Sequence, residues 1–334
     1  MKEYTEFAIP PVILSSYAVA GEKEGSGPLG KYYDEVEKDS YFSKKSWELA
    51  EGEMQRRAIS GAISKSAFDE RDIDCVIAGD LQNQCIASSM GAAGFGIPYI
   101  GVYGACSTFG ETLILGSSMI CGGMADNVLC SVSSHFCTAE RQFRFPLPYG
   151  SMRQPVAKRT VTGAGALLLS KEGVGVKIKG VMIGKITDYG ITDANNMGAA
   201  MAPAAADTLT RFFNTTGTTC ADYDVIATGD LASEGYELLI KLMEKNGIRM
   251  ADNYTDCGLM VYNNEEQDVH AGASGAGCSA IVTAGYFIKK LSAGEIRRML
   301  IVPTGALISA QSLAQGCTIP AVAHLICLES GDNK

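Results

Sequence analysis

The sequence has no uninterrupted apolar run of 18 residues, so no helix able to cross a bilayer is expected. Its start, "MKEYTEFAIPPVILSSYAVAGEKEG", carries only a short apolar stretch with acidic residues ahead of it, which does not fit a secretory signal peptide. Basic residues are outnumbered, 28 Lys and Arg against 37 Asp and Glu. The resulting net charge of −9 argues against a general nucleic-acid or anionic-membrane surface. Histidine is scarce, at three residues. No C-x-x-C pair occurs among the eleven cysteines, and Cys121, Cys130 and Cys137 stand too far apart for a zinc knuckle, so no metal site is expected. Cys75, Cys130 and Cys327 lie in apolar surroundings, where cysteine behaves as a small hydrophobe. This usage points to an intracellular, reducing location. Neither "GAGALLLS" nor "GASGAGCSA" fits a dinucleotide fingerprint, and no cofactor is expected.

What remains is a chain of 334 residues, 46% hydrophobic and rich in glycine, long enough for a large core. Trp47, Ala50, Met54, Ala58 and Ala62 recur at steps of three and four and predict an amphipathic helix over 45–67. A strand (73–81), a short helix (83–94), a strand (97–104), a helix (107–123) and a strand (127–134) follow. The same order returns as a helix (201–213, with Pro203 in its first turn), a strand (223–231), a helix (233–247), a loop plus helix (270–291) and strands at 297–305 and 319–330. Such alternation predicts a mostly parallel sheet. Set at an offset of 150 residues, "IDCVIAGDL" and "YDVIATGDL" match Asp74 with Asp224, Gly79 with Gly229, Asp80 with Asp230 and Leu81 with Leu231. Internal duplication is the reading adopted, with halves at 1–180 and 181–334 packed pseudo-symmetrically around a central cleft.

The stretch "IGVYGACSTFGETL" (100–113) runs from an apolar strand through Gly104 to Cys106 at the mouth of a helix. A thiol there meets unpaired N–H groups and the positive end of the helix dipole, which favour the thiolate. Those N–H groups also suit an oxyanion or a carboxylate, so Cys106, Ser107 and Thr108 form either a nucleophile's seat or a binding seat.

A duplicated α/β chain with this cysteine resembles the thiolase superfamily, which includes thiolases and ketoacyl synthases. Within it, "GSGPLG" (25–30), "AGDLQNQ" (78–84), "GACST" (104–108), "SSHFCTAERQFRFP" (133–146), "TVTGAGALLLS" (160–170), "DYGITDANNMGAAMAPAAADTL" (188–209), "TDCGLMVY" (255–262) and "TGALIS" (304–309) are similar to the stage V sporulation protein AD family. The resemblance covers nearly the whole chain. It implies a layered α-β-α-β-α thiolase-like fold. It further implies a protein that binds dipicolinic acid (pyridine-2,6-dicarboxylate) or its calcium chelate and supports its uptake into the developing spore. The implied partners are channel proteins of the spore inner membrane, with this chain peripheral to it, and a homodimer formed through the sheet edge of the first half.

The thiolase pattern also bears on catalysis. "HAGASG" (270–275) ends like the thiolase histidine loop, but if Gly272 and Ser274 hold the frame, Val269 stands in the histidine's place and His270 is shifted by one. "PTGALIS" offers Thr304 where thiolases carry a second cysteine. Gly229 and Asp230 stand where ketoacyl synthases of the three-residue type place a histidine. A non-catalytic binder is therefore expected; the alternative is an acyltransferase or condensing enzyme forming a thioester on Cys106. For a dicarboxylate, the basic segment Arg141, Arg144, Arg153, Lys158 and Arg159 supplies donors, with Arg141 preferred as a bidentate clamp. His135, ending a strand, and His270, in a Gly/Ser loop before a helix, are expected to face the cleft. His324 is expected to be structural. Asn83, Asn196 and Met197 are wall residues by loop position, Ser274 belongs to the histidine-loop frame, and Asp80 or Asp230 are candidates to meet calcium.

Overall fold

A computed structural model describes residues 3–144 and 154–331, the side chain of Arg144 excepted. The elements that position the site run in chain order as follows. They are β1 (Val12–Gly21), α1 (Trp47–Ser64), β2 (Cys75–Gly79), α2 (Ile86–Ala92), β3 (Tyr99–Gly101), α3 (Thr108–Cys121), β4 (Asn127–Ser134), α4 (Phe136–Arg144) and β5 (Gly163–Ser170). There follow β6 (Val176–Met182), α5 (Met197–Thr216), β7 (Val225–Thr228), α6 (Ala232–Lys245), β8 (Tyr254–Asp256), α7 (Ala276–Val282), β9 (Arg298–Val302) and β10 (Leu325–Glu329).

These ten strands form the path of one sheet in the order β8-β7-β9-β10-β6-β1-β5-β4-β2-β3. Read inward from each edge, the two runs of five have the same order and the same polarity. β2 is parallel to β3 and β4, while β5 is antiparallel to β4 and to β1. Likewise β7 is parallel to β8 and β9, while β10 is antiparallel to β9 and to β6. β1 and β6 meet antiparallel over Val12 and Ile13.

Side chains of a strand alternate between faces, and here each face feeds a different layer. Cys75 and Ile77 of β2, Leu167 and Leu169 of β5, and Met299 and Ile301 of β9 enter one central cluster, together with Phe109 and Leu113 of α3 and Cys278 and Ile281 of α7. The intervening Val76, Ala78 and Leu168 pack on Ala50, Met54, Ala58 and Ala62 of α1, the spacing read from the sequence. Leu300 and Val302 pack on α5 and α6 residues such as Leu209 and Leu239. Helices thus lie inside and on both outer faces. Full burial of each Leu or Ile contributes about 1.5–3 kcal/mol, so the three layers account for most of the hydrophobic stabilisation.

Three boundaries differ from the sequence reading. α5 begins four residues earlier than expected because the Asn196 Oδ1 accepts the Ala199 N–H at 3.2 Å; Pro203 therefore lies inside the helix, beyond its first turn. The strand expected at 97–104 is short, since after Gly101 the chain turns towards Cys106. The final strand is broken at His324, whose N–H donates to the Pro303 carbonyl instead of a strand partner.

Candidate functional site

Cys106 stands on a tight turn between β3 and α3. Ala105 has φ of 52°, left-handed backbone that costs a non-glycine residue about 1–3 kcal/mol and so marks a turn the surrounding structure imposes. The turn is closed by its own residues. Ser107 Oγ donates to the Gly104 carbonyl at 2.6 Å, Thr108 Oγ1 to the Ala105 carbonyl at 2.6 Å, and the Ser107 N–H to Gly104 at 3.1 Å. Gly305 lies against this turn; a Cβ there would come within 2.3 Å of the Gly104 carbonyl, so only glycine permits the approach.

The turn presents Cys106 to a cavity of about 60 Å³. Leu81, Ala139, Glu140 and Phe143 form one wall, and Met197, Ile308 and Leu313 form another. Thr160, Ser274 and Gly275 also line it, with Ala105, Ala194 and Ala306. Behind Ser274 lies Asp230, buried, with a carboxylate that also accepts a hydrogen bond from the Cys106 thiol. Its Oδ2 accepts from Ser274 Oγ at 2.8 Å and the Gly275 N–H at 3.1 Å, and its Oδ1 accepts from Thr304 Oγ1 at 2.9 Å. The buried Lys158 ammonium stands 3.6 Å from Oδ2 and donates to the Asp230 carbonyl at 2.5 Å. Asp256 shapes this loop from below, accepting the Leu231, Ala232 and Gly258 N–H groups, each at 2.9 Å. Burial pushes its carboxyl up to about 6.

The electrostatics of Cys106 run opposite to the helix-mouth expectation. Burial pushes its thiol far above the ordinary range and the Asp230 carboxylate adds to the shift, while Lys158 acts in the other sense. The helix amides do not offset this, because those of Ser107 and Thr108 already donate to Gly104 and Ala105. The resident state is a neutral thiol able to donate a hydrogen bond.

Of the residues singled out from the sequence, Cys106, Met197 and Ser274 line the cavity, whereas Ser107 and Thr108 are turned onto their own loop. Arg141 is outside it. Its guanidinium pairs with Glu48 at 2.6 Å and lies over the Trp47 ring at 5.0 Å, in a shallow cleft shared with Asn83. His135 is buried elsewhere: Cys137 N donates to its Nδ1 at 3.1 Å, its Nε2 donates to the Ser40 carbonyl at 2.8 Å, and burial lowers its pKa. His270, at φ 56°, turns to the Gln154 carbonyl and Asp268, while Val269 fills the core. His324 accepts the Gly184 N–H at Nδ1. Among the described residues, therefore, no histidine lines the cavity. Asn196 caps α5, and Asp80, like Asp230, is enclosed by protein donors, Gln82 N and Ser88 N, instead of facing a calcium ion. The Arg144 side chain and Arg153 fall outside the described residues.

Sequence reasoning named Lys158 only as one of a basic group and missed Ile308, Leu313, Glu140 and Phe143. Alternation would have found Lys158. Arg159 and Thr160 pair with Ala273 and Ser274, so residues 158 and 160 share the face towards the site while Arg159 stacks on Phe136.

A model of the family described as stage V sporulation protein AD matches residues 2–329. The chain belongs to the stage V sporulation protein AD family. Its relative of that name from Bacillus subtilis (strain 168) is 40% identical over 328 residues, covering 98% of this chain and 97% of the relative. Among solved structures, 3-oxoacyl-[acyl-carrier-protein] synthase III from Aquifex aeolicus VF5 superposes with a TM-score of 0.59 at 13% identity, covering 96% of this chain and 99% of that one. Cerulenin-bound OleA from Xanthomonas campestris gives 0.62 at 12% identity, covering 96% and 98%. The AbyA1 tetronic acid condensing enzyme gives 0.58 at 16%, covering 95% and 99%. This family member therefore has the α/β fold of the thiolase-like condensing enzymes. Among its described residues no helix is long and apolar enough to cross a membrane.

Proposed function

We propose that this sporulation protein is a non-catalytic binder of dipicolinic acid, taken up in the Cys106 cavity and handed to membrane-embedded partners for transfer into the developing spore. The observation that carries the reading is the pairing at Cys106: a neutral thiol backed by a carboxylate, Asp230, that Ser274, Thr304 and Gly275 hold in place. Acyl transfer needs a strong enough base for the thiol and a donor for the thioester oxygen; a carboxylate is a weak base for a thiol that burial holds protonated, and it has no N–H or O–H to offer that oxygen. The same site suits binding. Phe143, Met197 and Leu313 give the lining an apolar part suited to a ring, and Thr160, Ser274 and Cys106 give it polar residues.

The lining contains Glu140 and, among the described residues, no Lys or Arg. A bare dianion would be desolvated there without a counter-charge, whereas the neutral calcium chelate would not, so the chelate is the favoured cargo. Calorimetric titration into the purified protein tests this. Dipicolinate with calcium is expected to give saturable one-site heat, tighter than dipicolinate with a chelator. Phe143→Ala should weaken it roughly tenfold, the loss of about 1.4 kcal/mol of contact, and Arg141→Ala should leave it unchanged. Absence of heat at millimolar ligand, or an acyl adduct on Cys106 with acyl-coenzyme A, would remove the proposal.

A further inference from the structure

A second polar cluster, unconnected with the Cys106 turn, lies between α1, β2, β4 and α4. Glu51 of α1 is fully buried, and its Oε2 accepts from Thr138 Oγ1 of α4 at 2.6 Å and from Gln82 Nε2 at 2.8 Å; Thr138 Oγ1 is also 2.9 Å from the His135 carbonyl, but the Ala139 N–H already donates there, so its hydrogen serves Glu51. Its Oε1 lies 3.1 Å from Ser133 Oγ of β4, which is also 3.3 Å from the Oε1 of the buried Gln55. Gln55 is fixed in this orientation because its Nε2 donates to the Ser131 carbonyl at 3.1 Å and lies 3.4 Å from that of Gly79. The Ser133 hydroxyl has one hydrogen and two buried acceptors, and a single hydrogen cannot satisfy both. A proton on Glu51 Oε1 resolves the count: Glu51 then donates to Ser133, and Ser133 donates to Gln55.

The surroundings favour that neutral acid. Asp80 is also fully buried, tied to the same group through Gln82, whose N–H donates to its Oδ1 at 2.7 Å. The other titratable or charged groups packed about the cluster are Glu48, paired with Arg141 across α1 and α4, Glu140 on the cavity side of α4, His135 before it, and Cys85 and Tyr99 beside Asp80. Burial, with the Asp80 carboxylate adding, pushes the Glu51 carboxyl up to about 8, and burial raises Asp80 as well.

We propose that Glu51 is a positioning residue that, while protonated, seats one wall of the Cys106 cavity, and that its ionisation loosens that seat. The two groups it grips are both part of that wall's support. Thr138 lies in the first turn of the helix that carries Ala139, Glu140 and Phe143 into the cavity, and Gln82 follows the lining residue Leu81. An ionised Glu51 keeps the Thr138 and Gln82 bonds, but it takes the Ser133 hydrogen, leaves Gln55 without a donor and places a second buried charge beside Asp80, and that cost favours entry of water between α1 and α4. The seat itself does not depend on what the cavity binds; its effect on dipicolinate rests on the function proposed above.

Glu51→Gln provides the test, because an amide reproduces the neutral acid's donor and acceptor without titrating. Infrared spectra should show a protonated carboxyl band at about pH 6.5 that is absent in Glu51→Gln and fades in the wild type towards pH 9.5. A wild-type protein lacking that band overturns the proposal. Emission of Trp47, the chain's one tryptophan, which carries Arg141 of α4 over its ring, should change with pH in the wild type and stay flat in the variant. Identical titrations would overturn the link to α4. Dipicolinate affinity should fall at least roughly fivefold from pH 7 to 9 in the wild type and hold in Glu51→Gln, a coupling of ordinary size. An equal fall in both would overturn the effect on the site. If dipicolinate binds at no pH, the functional reading fails, while the infrared and fluorescence arms still decide the seat.

Discussion

A thiol that attacks a thioester must first lose its proton, and Cys106 is placed to keep it. Native-state alkylation with iodoacetamide at pH 7.5 should therefore label the exposed Cys121 and Cys317 at least tenfold faster than Cys106, a difference that denaturant abolishes. Mass spectrometry of the peptides reads this directly, and equal native rates would mean a reactive thiolate. At this scale three of the residues expected from the sequence line the cavity, and the residues around them there were not foreseen. Cys106, Met197 and Ser274 were legible because motifs fix where a turn or loop must stand. Arg141 and His270 misled because a side chain's direction depends on backbone detail. A left-handed φ at His270 swings the ring to Gln154, and Trp47 and Glu48, distant from Arg141 in sequence, hold the guanidinium aside.

Elements repeat more faithfully than residues do. Asp74 Oδ2 accepts the Asp126 and Asn127 N–H groups at 2.7 and 2.9 Å, tying the start of β2 to β4. Asp224 Oδ2 accepts the Arg297 and Arg298 N–H groups at the same two distances, tying β7 to β9. Ahead of each strand a single helical turn is closed by a reciprocal cap, Asp69 with Asp72 and Thr219 with Asp222. These pairs are 150 residues apart, the offset at which the two nonapeptides align. The duplicated aspartates were legible since each fixes a strand start through the backbone, whatever surrounds it. Asp74→Ala and Asp224→Ala should each cost about 1.5–3 kcal/mol, the worth of hydrogen bonds to a charged group, read from urea midpoints. A neutral result in either would show that its two amides find other acceptors. The break at His324 was not legible: nothing local in "AVAHLICL" announces that its amide goes to Pro303.

For the molecule as a whole, the buried carboxyls set a direction. Glu24, Glu51, Asp80 and Asp256 are all raised, chiefly by burial. A raised carboxyl binds its proton in the folded chain at pH values where the unfolded chain has lost it, so its stabilisation is present at low pH and lost on going from about 4 towards 8. His135, lowered by burial, opposes this only below its ordinary range. The thermal midpoint should therefore be higher at pH 6.5 than at pH 8.5, and Glu51→Gln should narrow the gap; a midpoint that rises over this interval would contradict it. The edge of the sheet carries a second expectation. β3 exposes Tyr99 and Ile100, with Ile86, Met90 and Tyr103 also exposed nearby in the chain, and an apolar open edge invites pairing. We propose a homodimer along it, which Ile100→Lys should shift to monomer in light scattering.

The place of β10 in the sheet has a consequence for how the chain is made. Leu325–Glu329 is the latest of the ten strands to leave the ribosome, yet it lies between β9 and β6 and hydrogen-bonds to both. Until it emerges, two fully synthesised strands each keep one flank of bare main chain, and the sheet remains in two pieces. A nascent chain stalled just short of these residues is a template for pairing with its neighbours on the same message. Completion of the sheet waits on this strand, however early the first half folds.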